Sequence, residues 1–232
     1  MMAVEAARRL HDGAVCFVGI GLPSLACNLA RATHAPGSVL IYESGTIGAK
    51  PEHLPLSIGD GELAETADAV VSVPEIFSYW LQAGRVDIGF LSAAQIDRLG
   101  NLNSTVIGDY DRPKVRLPGG GGAPEIARSC RHVFVMLRQT PRTFVERLDF
   151  RSSVGERVAV VVTDLGVLEP DPDNRELVLT HVHRGVSADD ARAATGWDLR
   201  VAPTLRETAC PSPQELEALR ALKHATRDGN GG

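Results

Sequence analysis

AVCFVGIGLPSLACNLARATHAPGSVLIYE, residues 14–43, is the stretch that most clearly indicates the fold. It opens with an apolar run bounded by glycine, AVCFVG (14–19), which is rich in residues that favour strands. A segment of helical composition follows, SLACNLARATH (24–34), and a second apolar run, SVLIYE (38–43), closes the stretch. A strand, a helix and a strand this close together predict a right-handed crossover between two parallel strands.

The same alternation continues along the chain. Further strands are expected at 68–74, 86–92, 132–138, 157–164 and 176–183, and further helices at 2–12, 75–84, 187–195 and 212–226. No internal repeat or linker interrupts this pattern. We therefore predict a single α/β domain over residues 1–226, built on a single open, mainly parallel sheet flanked by helices. Residues 227–232, RDGNGG, are expected to form a disordered tail.

Composition excludes several classes of function. The 232 residues carry a net charge of −5, which argues against nucleic acid as a partner because phosphate binding requires a basic surface. No apolar run approaches the ~20 residues of a membrane span, and the first residues lack the layout of a signal peptide. The four cysteines form no CxxC pair, which is typical of free thiols in a reducing compartment. We therefore expect a cytoplasmic protein.

No metal site is expected from the spacing of the cysteines and histidines. The exception to consider is HVH (181–183), whose two histidines face one side of a predicted strand. They suit a polar face of the sheet better than a metal site.

Glu43 is the first candidate functional residue. It ends the second predicted strand, and ligands of open α/β sheets bind at the carboxyl ends of the strands. Two interpretations remain open from the residues alone. The carboxylate either caps a backbone amide or pairs with a basic side chain, or it performs nucleophilic or proton-transfer chemistry.

Four consecutive glycines, Gly119–Gly122, form the second candidate. A glycine run lets the backbone approach a ligand and point its N–H groups inward, as in an oxyanion hole or a phosphate-binding loop. A flexible loop without a ligand is the alternative. The run matches neither GxGxxG nor GxxxxGK[ST], so a dinucleotide site and a P-loop are not expected. The preceding QIDRLGNLNST (95–105) has the composition of a tight turn.

Four motifs together resemble the β subunits of family I coenzyme A transferases, and most closely those of the glutaconate CoA-transferase type. They are GIGLPSLACNLA (19–30), YESGTIG (42–48), AQIDRLGNLNSTVIGDYDRPKVRLPGGGGAPEIA (94–127) and TGWDLRVAP (195–203). The resemblance runs over nearly the full chain, in the order of the family. It implies a CoA-transferase (NagB/RpiA-like) fold.

The resemblance also implies roles for individual residues. Glu43 matches the glutamate nucleophile, and the amide of Gly122 matches the donor of the oxyanion hole. The residues implied in binding the substrate and CoA are Gly19, Gly21, Ser44, Gly45, Gly119, Gly120, Gly121 and Ala123. No metal is implied.

The implied reaction is ping-pong transfer of CoA between an acyl-CoA and a small dicarboxylic or 3-oxo acid, through a glutamyl-CoA thioester. The coenzyme A thioester is a substrate, and no permanently bound cofactor is expected. The implied partner is a CoA-transferase α subunit, in a heterodimer or a larger heteromer, with neither nucleic acid nor membrane involved. Relatives on this scaffold also act as glutaconyl-type decarboxylases or as hydrolases, and an inactive structural subunit is a third hypothesis. The intact ESG motif favours transfer.

Overall fold

The computed structural model describes residues 1–228 of the chain, and side chains through residue 223. It divides into two compact units. The first unit comprises Met1–Phe90, Ser129–Arg131 and the chain from Cys210 onward, and the second comprises Leu91–Arg128 and His132–Ala209. The single domain expected over residues 1–226 stays a prediction.

The first unit contains five strands in the order β5-β1-β2-β3-β4. These strands are β1 (Val15–Phe17), β2 (Val39–Ile41), β3 (Thr46–Ile47), β4 (Ala69–Val70) and β5 (Ile88–Leu91). Its helices are α1 (Met2–Ala7), α2 (Leu22–Thr33), α3 (Gly61–Glu65), α4 (Val73–Glu75), a π-helix over Ile76–Leu81, and the last described helix, α7 (Pro213–Asp228). Strand β1 lies between β2 and β5 and is parallel to both, so the predicted β1-α2-β2 crossover is confirmed.

Burial explains why the sequence of this crossover is so apolar. Cys16 in β1 and Leu40 and Ile41 in β2 are fully buried, as expected for strands covered on both faces. Seven consecutive residues of α2, from 24 to 30, are also buried. The helix is therefore a core element and not a surface helix.

Two elements of the first unit differ from the prediction. The strand expected at 68–74 is reduced to the two exposed residues of β4, because a capping box between Ser72 and Glu75 begins a helix there. The helix expected at 75–84 is a π-helix over Ile76–Leu81. Neither feature has a hydrophobic period that would reveal it in the sequence.

The two ends of the described chain meet in the first unit. The Arg8 guanidinium, directly after α1, donates to both carboxylate oxygens of Glu215 at 2.7 Å and to the carbonyl of Cys210 at 3.0 Å. Helix α1 is shorter than the predicted 2–12, whereas α7 confirms the predicted 212–226 and continues to Asp228. The rest of the predicted tail, 229–232, lies outside the described residues.

The second unit contains five strands in the order β14-β13-β12-β11-β10 and two hairpins, β6-β7 and β8-β9. The strands are β6 (Gln95–Ile96), β7 (Leu102–Asn103), β8 (Val106–Gly108), β9 (Pro113–Arg116), β10 (His132–Met136), β11 (Val158–Val162), β12 (Gly166–Pro170), β13 (Leu177–Val182) and β14 (Val201–Glu207). Its helices are α5 (Ala123–Ser129) and α6 (Ala188–Ala193). Strand pairs β10-β11 and β13-β14 are parallel, whereas β11-β12 and β12-β13 are antiparallel.

The α/β class with an open, mainly parallel sheet flanked by helices is confirmed. The antiparallel strands β3 and β12 were not predicted from the sequence. Helix α6 begins as predicted, with the Ser187 hydroxyl accepting from the backbone N–H of Asp190. No described helix is long and apolar enough to cross a membrane.

Candidate active site

Glu43 lies in the turn of a β-hairpin and not at the end of β2. The Tyr42 N–H donates to the Thr46 carbonyl at 3.1 Å, and the Tyr42 carbonyl accepts from the Gly45 N–H at 3.0 Å. Glu43 and Ser44 are therefore the two central residues of a four-residue turn, and Gly45 follows with φ of 107°. A turn followed by a residue of positive φ joins antiparallel strands when the loop has three residues. The hairpin thus presents Glu43 at its tip.

Gly45 is required at its position for two reasons. Its positive φ is strained for any residue with a Cβ, and a Cβ there would overlap the Val71 carbonyl oxygen. The Val71 N–H also donates to the Gly45 carbonyl at 2.9 Å. The glycine of the ESG motif therefore allows the chain after β4 to pack directly against the turn.

The Glu43 carboxylate has no protein partner in the part of the chain that the structure describes. The side chain is half-buried, and none of the hydrogen bonds or ion pairs found among residues 1–228 involves it. Neither capping nor pairing with a basic residue therefore accounts for the carboxylate here. A half-buried carboxylate without a partner is available for nucleophilic chemistry.

The GIGLP segment lies beside this turn, in the same unit. It follows β1, whose neighbour is β2, and the Val18 N–H donates to the Ile41 carbonyl at 2.8 Å. Gly21, with φ of 86°, is the N-cap of α2, and Pro23 occupies the first turn of the helix. Gly19 and Gly21 thus lie at the carboxyl end of β1, and Glu43 follows the carboxyl end of β2.

Three buried polar residues next to the Glu43 turn, Tyr42, Ser24 and Asn28, are linked by hydrogen bonds. The Tyr42 hydroxyl and the Ser24 hydroxyl lie 3.1 Å apart, and the Asn28 amide donates to the Ser24 carbonyl at 2.9 Å. Burial raises the pKa of Tyr42 to about 12, and the hydrogen bond with Ser24 lowers this pKa by a smaller amount. These contacts were not predicted from the sequence. The signal for them was a pair of polar residues, Ser24 and Asn28, four apart and flanked by apolar residues in the first part of the helix.

The glycine run lies in the second unit, between β9 and α5. Gly119 and Gly121 have φ of 102° and 51°, backbone conformations that favour glycine. The Gly119 N–H donates to the Ser104 carbonyl at 2.9 Å, which anchors the beginning of the loop. The first glycine of the run is therefore held to the segment between β7 and β8.

The end of this loop offers free backbone donors. Gly122 is buried, and within residues 1–228 neither its N–H nor that of Gly121 donates to a protein acceptor. The Ala123 N–H, in contrast, donates to the Gly120 carbonyl at 2.9 Å. Two N–H groups without a protein acceptor, one on the buried Gly122 and one on the exposed Gly121, suit the stabilisation of an oxyanion.

Asn103 holds the segment to which the glycine loop is anchored. It is fully buried, and its amide donates to Gln95 Oε1 and to the Val106 carbonyl, both at 2.7 Å. Its side-chain oxygen accepts from the backbone N–H groups of Thr105 at 3.0 Å and of Val106 at 3.3 Å. The sequence predicted a turn here but not this support of the loop.

His183, the second histidine of HVH, is hydrogen-bonded to neighbouring polar groups. Ring nitrogens of His183, which is buried, lie 2.9 Å from the Thr163 carbonyl and from the Thr208 hydroxyl. Among the described residues, no group of three or more His, Cys, Asp or Glu is placed to hold a metal ion. Cys16 and Cys27 are buried thiols outside any disulfide.

Comparison with known proteins identifies the family. The family model for coenzyme A transferase matches residues 1–193. The B subunit of 3-oxoadipate CoA-transferase from Pseudomonas knackmussii is 56% identical, over 100% of this chain and 95% of that protein. The chain belongs to the coenzyme A transferase family, and the predicted β-type CoA-transferase is confirmed.

Solved structures agree with this result. The crystal structure of glutaconate CoA-transferase from Acidaminococcus fermentans superposes with a TM-score of 0.88 at 30% identity, over 95% of this chain and 92% of that chain. The decarboxylase AibA/AibB superposes with a TM-score of 0.89 at 29% identity, over 98% and 95% of the two chains. The fold is thus shared between transferases and a decarboxylase, whereas the higher sequence identity is to a transferase.

Proposed function

We propose that this chain is the nucleophile-bearing β subunit of a transferase that moves CoA between an acyl-CoA and a dicarboxylic 3-oxo acid such as 3-oxoadipate. The observation that carries the proposal is the half-buried carboxylate of Glu43, which has no protein partner in the described chain and is presented by a hairpin turn. The choice of acid follows from the 56% identity to a 3-oxoadipate CoA-transferase chain.

In the proposed reaction, a Glu43 carboxylate oxygen attacks the thioester carbonyl of the acyl-CoA. Collapse of the tetrahedral intermediate expels CoA thiolate and leaves an acyl-glutamyl anhydride. The thiolate then attacks the glutamyl carbonyl of the anhydride, which gives a glutamyl-CoA thioester and releases the first acid. The second acid reverses these steps and leaves as its CoA thioester, which regenerates Glu43.

The backbone of the glycine loop would supply the oxyanion donors. Each tetrahedral intermediate carries negative charge on oxygen, and the Gly122 N–H, with Gly121 and Ala123 beside it, would stabilise this charge. Loss of one such donor typically costs ~3 kcal/mol of barrier. The N–H groups of Gly121 and Gly122 have no protein acceptor in residues 1–228, which supports this role.

The proposed enzyme includes an α subunit. The 3-oxoadipate CoA-transferase relative is itself one subunit of a larger enzyme, and an anhydride intermediate must be protected from water. The CoA thioester is a substrate in this reaction, and no resident cofactor is required. The buried thiols of Cys16 and Cys27 support a reducing compartment, and we place the enzyme in the cytoplasm.

Decarboxylation is the second candidate, because AibA/AibB shares the fold. The two reactions differ in their need for an acceptor. A transferase stops after one turnover when no acceptor acid is present, whereas a decarboxylase or a hydrolase continues.

The test uses this chain co-expressed with the α subunit encoded in the same genome. Acyl-CoA donors are offered with 3-oxoadipate, with glutaconate and with acetate, and without an acceptor, and new CoA thioesters are measured by mass spectrometry. The proposal predicts multiple turnovers with 3-oxoadipate and no more than one turnover without an acid. Continued release of acid or CO2 in the absence of an acceptor would refute it.

A further inference from the structure

Tyr42, the residue before the proposed nucleophile, is buried in an unusual way. Its side chain is fully buried, although the neighbouring side chain of Glu43 is half-exposed. A phenol hydroxyl removed from water costs free energy unless it is hydrogen-bonded, so packing alone would be served better by phenylalanine. The hydroxyl of Tyr42 has such a partner, the hydroxyl of Ser24 in the first turn of α2, at 3.1 Å.

Three hydrogen bonds therefore converge on one residue. The Tyr42 N–H and carbonyl close the hairpin turn through Thr46 and Gly45, and its hydroxyl ties the ring to α2. A backbone fixed at the first position of a four-residue turn leaves the next residue little freedom. That next residue is Glu43.

The partner of Tyr42 is itself fixed. Ser24 is fully buried, and the Asn28 amide donates to its carbonyl at 2.9 Å and lies 3.4 Å from its hydroxyl. The Arg31 guanidinium lies 3.5 Å from the side-chain oxygen of Asn28 and donates to the Ala49 carbonyl at 3.2 Å. The turn is thus anchored to one face of a core helix and not to a mobile surface group.

We propose that Tyr42 and Ser24 are positioning residues that hold the Glu43 carboxylate in the orientation needed for attack on the thioester. The inference rests on the proposed function of Glu43. Small displacements of a reacting group lower the rate of the chemical step much more than they lower binding. Loss of the hydroxyl pair therefore slows formation of the covalent intermediate and leaves the affinity for acyl-CoA nearly unchanged.

The test compares Tyr42→Phe, Ser24→Ala and the double variant in the assembled enzyme. The single-turnover rate constant for forming the Glu43 adduct at saturating acyl-CoA is measured, together with the acyl-CoA concentration that gives half the maximal rate. Each single variant is expected to lose about five- to tenfold in the rate constant, with less than about a twofold change in that concentration. The double variant is expected to be no slower than the slower single one, because both remove the same hydrogen bond.

Thr33→Val is the matched control. Its hydroxyl donates to the Leu29 carbonyl at 2.7 Å near the other end of α2 and lies 3.1 Å from His34 Nδ1, so this variant also loses hydroxyl hydrogen bonds of the helix. It is expected to keep the wild-type rate constant. Wild-type rates in Tyr42→Phe, or equal losses in Tyr42→Phe and Thr33→Val, would overturn the inference. Glu43→Gln, tested in parallel, separates the two proposals: if it still transfers CoA, the assignment of the nucleophile fails first.

Discussion

Gly45 determines whether the chain can present Glu43 at all. Replacement by alanine combines a strained positive φ with an overlap on the Val71 carbonyl, so we expect Gly45→Ala to destabilise the protein by at least about 2 kcal/mol and to abolish transfer. Gly84 is the matched control, because it has φ of 69° but open space where a Cβ would lie. Its alanine variant should cost only about 1 kcal/mol. Denaturant unfolding measures both, and equal costs would rule out the steric argument.

Tyr42 makes the stability of the protein depend on pH in the alkaline range. Burial raises its pKa from the ordinary value of 10.0 to about 12 in the folded state. Folding therefore favours the neutral phenol. The resulting contribution of Tyr42 to the free energy of unfolding is fully present below pH 10 and is lost as the pH rises towards 12. The difference between these two values corresponds to about 3 kcal/mol.

The measurement is the free energy of unfolding of the wild type and of Tyr42→Phe between about pH 8 and pH 12, where the phenylalanine variant should lose less stability. Tyr79→Phe is the matched control, because Tyr79 is exposed. The same alkaline slope in the wild type and in Tyr42→Phe would show that the phenol does not resist ionisation.

At the scale of loops and strands, the glycine loop is hydrogen-bonded to the segment Ser104–Thr105, and Ser152 in turn holds that segment. The Ser152 hydroxyl accepts from the Ser104 N–H at 2.9 Å and lies 2.6 Å from the Thr105 hydroxyl. The carbonyls of Ser104 and Thr105 in turn accept from the N–H groups of Gly119 and Leu117. Ser152→Ala should therefore speed hydrogen exchange of the Gly119 and Leu117 amides by about fivefold.

Ser187→Ala is the control for this prediction. It removes the cap of α6, and its effect should be confined to the amides of that helix. The prediction concerns exchange rates measured by mass spectrometry or NMR. Unchanged protection of Gly119 in Ser152→Ala would mean that the loop keeps its shape without this support.

The elements that the sequence predicted well are those with a strong local signal. The β1-α2-β2 crossover has apolar runs bounded by glycine, helix α6 has its serine cap, and α7 has a clear amphipathic period. The turn around Glu43 was missed, because β2 and β3 share only one registered pair, Ile41 with Ile47. A hairpin of this length has no pattern of alternation to detect.

The same limit applies to the candidate site. The apolar run that ends at Glu43 and the four consecutive glycines are visible in the sequence, and the resemblance to CoA-transferases then gave both of them their predicted roles. The support given by Tyr42, Ser24 and Asn103 was not predicted. Each of these contacts joins residues that only the folded chain brings together, or it depends on burial that composition does not show.

Considered as one molecule, the chain folds back so that its last described helix meets its first. The Arg8 guanidinium lowers the pKa of Glu215, so this carboxylate stabilises the fold above its ordinary pKa and the contribution is lost as the pH falls through the folded-state value. Because both side chains keep some contact with water, Glu215→Gln is expected to cost about 1 kcal/mol at pH 7 and to flatten the loss of stability in acid.

Glu217→Gln is the matched control in the same helix, because Glu217 is exposed. Its acid unfolding curve should follow that of the wild type. If Glu215→Gln also followed the wild type from about pH 7 to pH 3, the contact between the two ends of the chain would contribute nothing measurable.

The proposed function depends above all on Glu43 becoming covalently bonded to CoA during turnover. The decisive experiment incubates the enzyme, assembled with its α subunit, with acyl-CoA, treats it with borohydride to reduce the glutamyl thioester to an alcohol, and locates the change by peptide mass spectrometry. We predict the alcohol at residue 43 in the wild type, no modification and no transfer in Glu43→Gln, and wild-type behaviour in Glu65→Gln, whose carboxylate is exposed. Transfer by Glu43→Gln, or an adduct at another residue, would show that Glu43 is not the nucleophile.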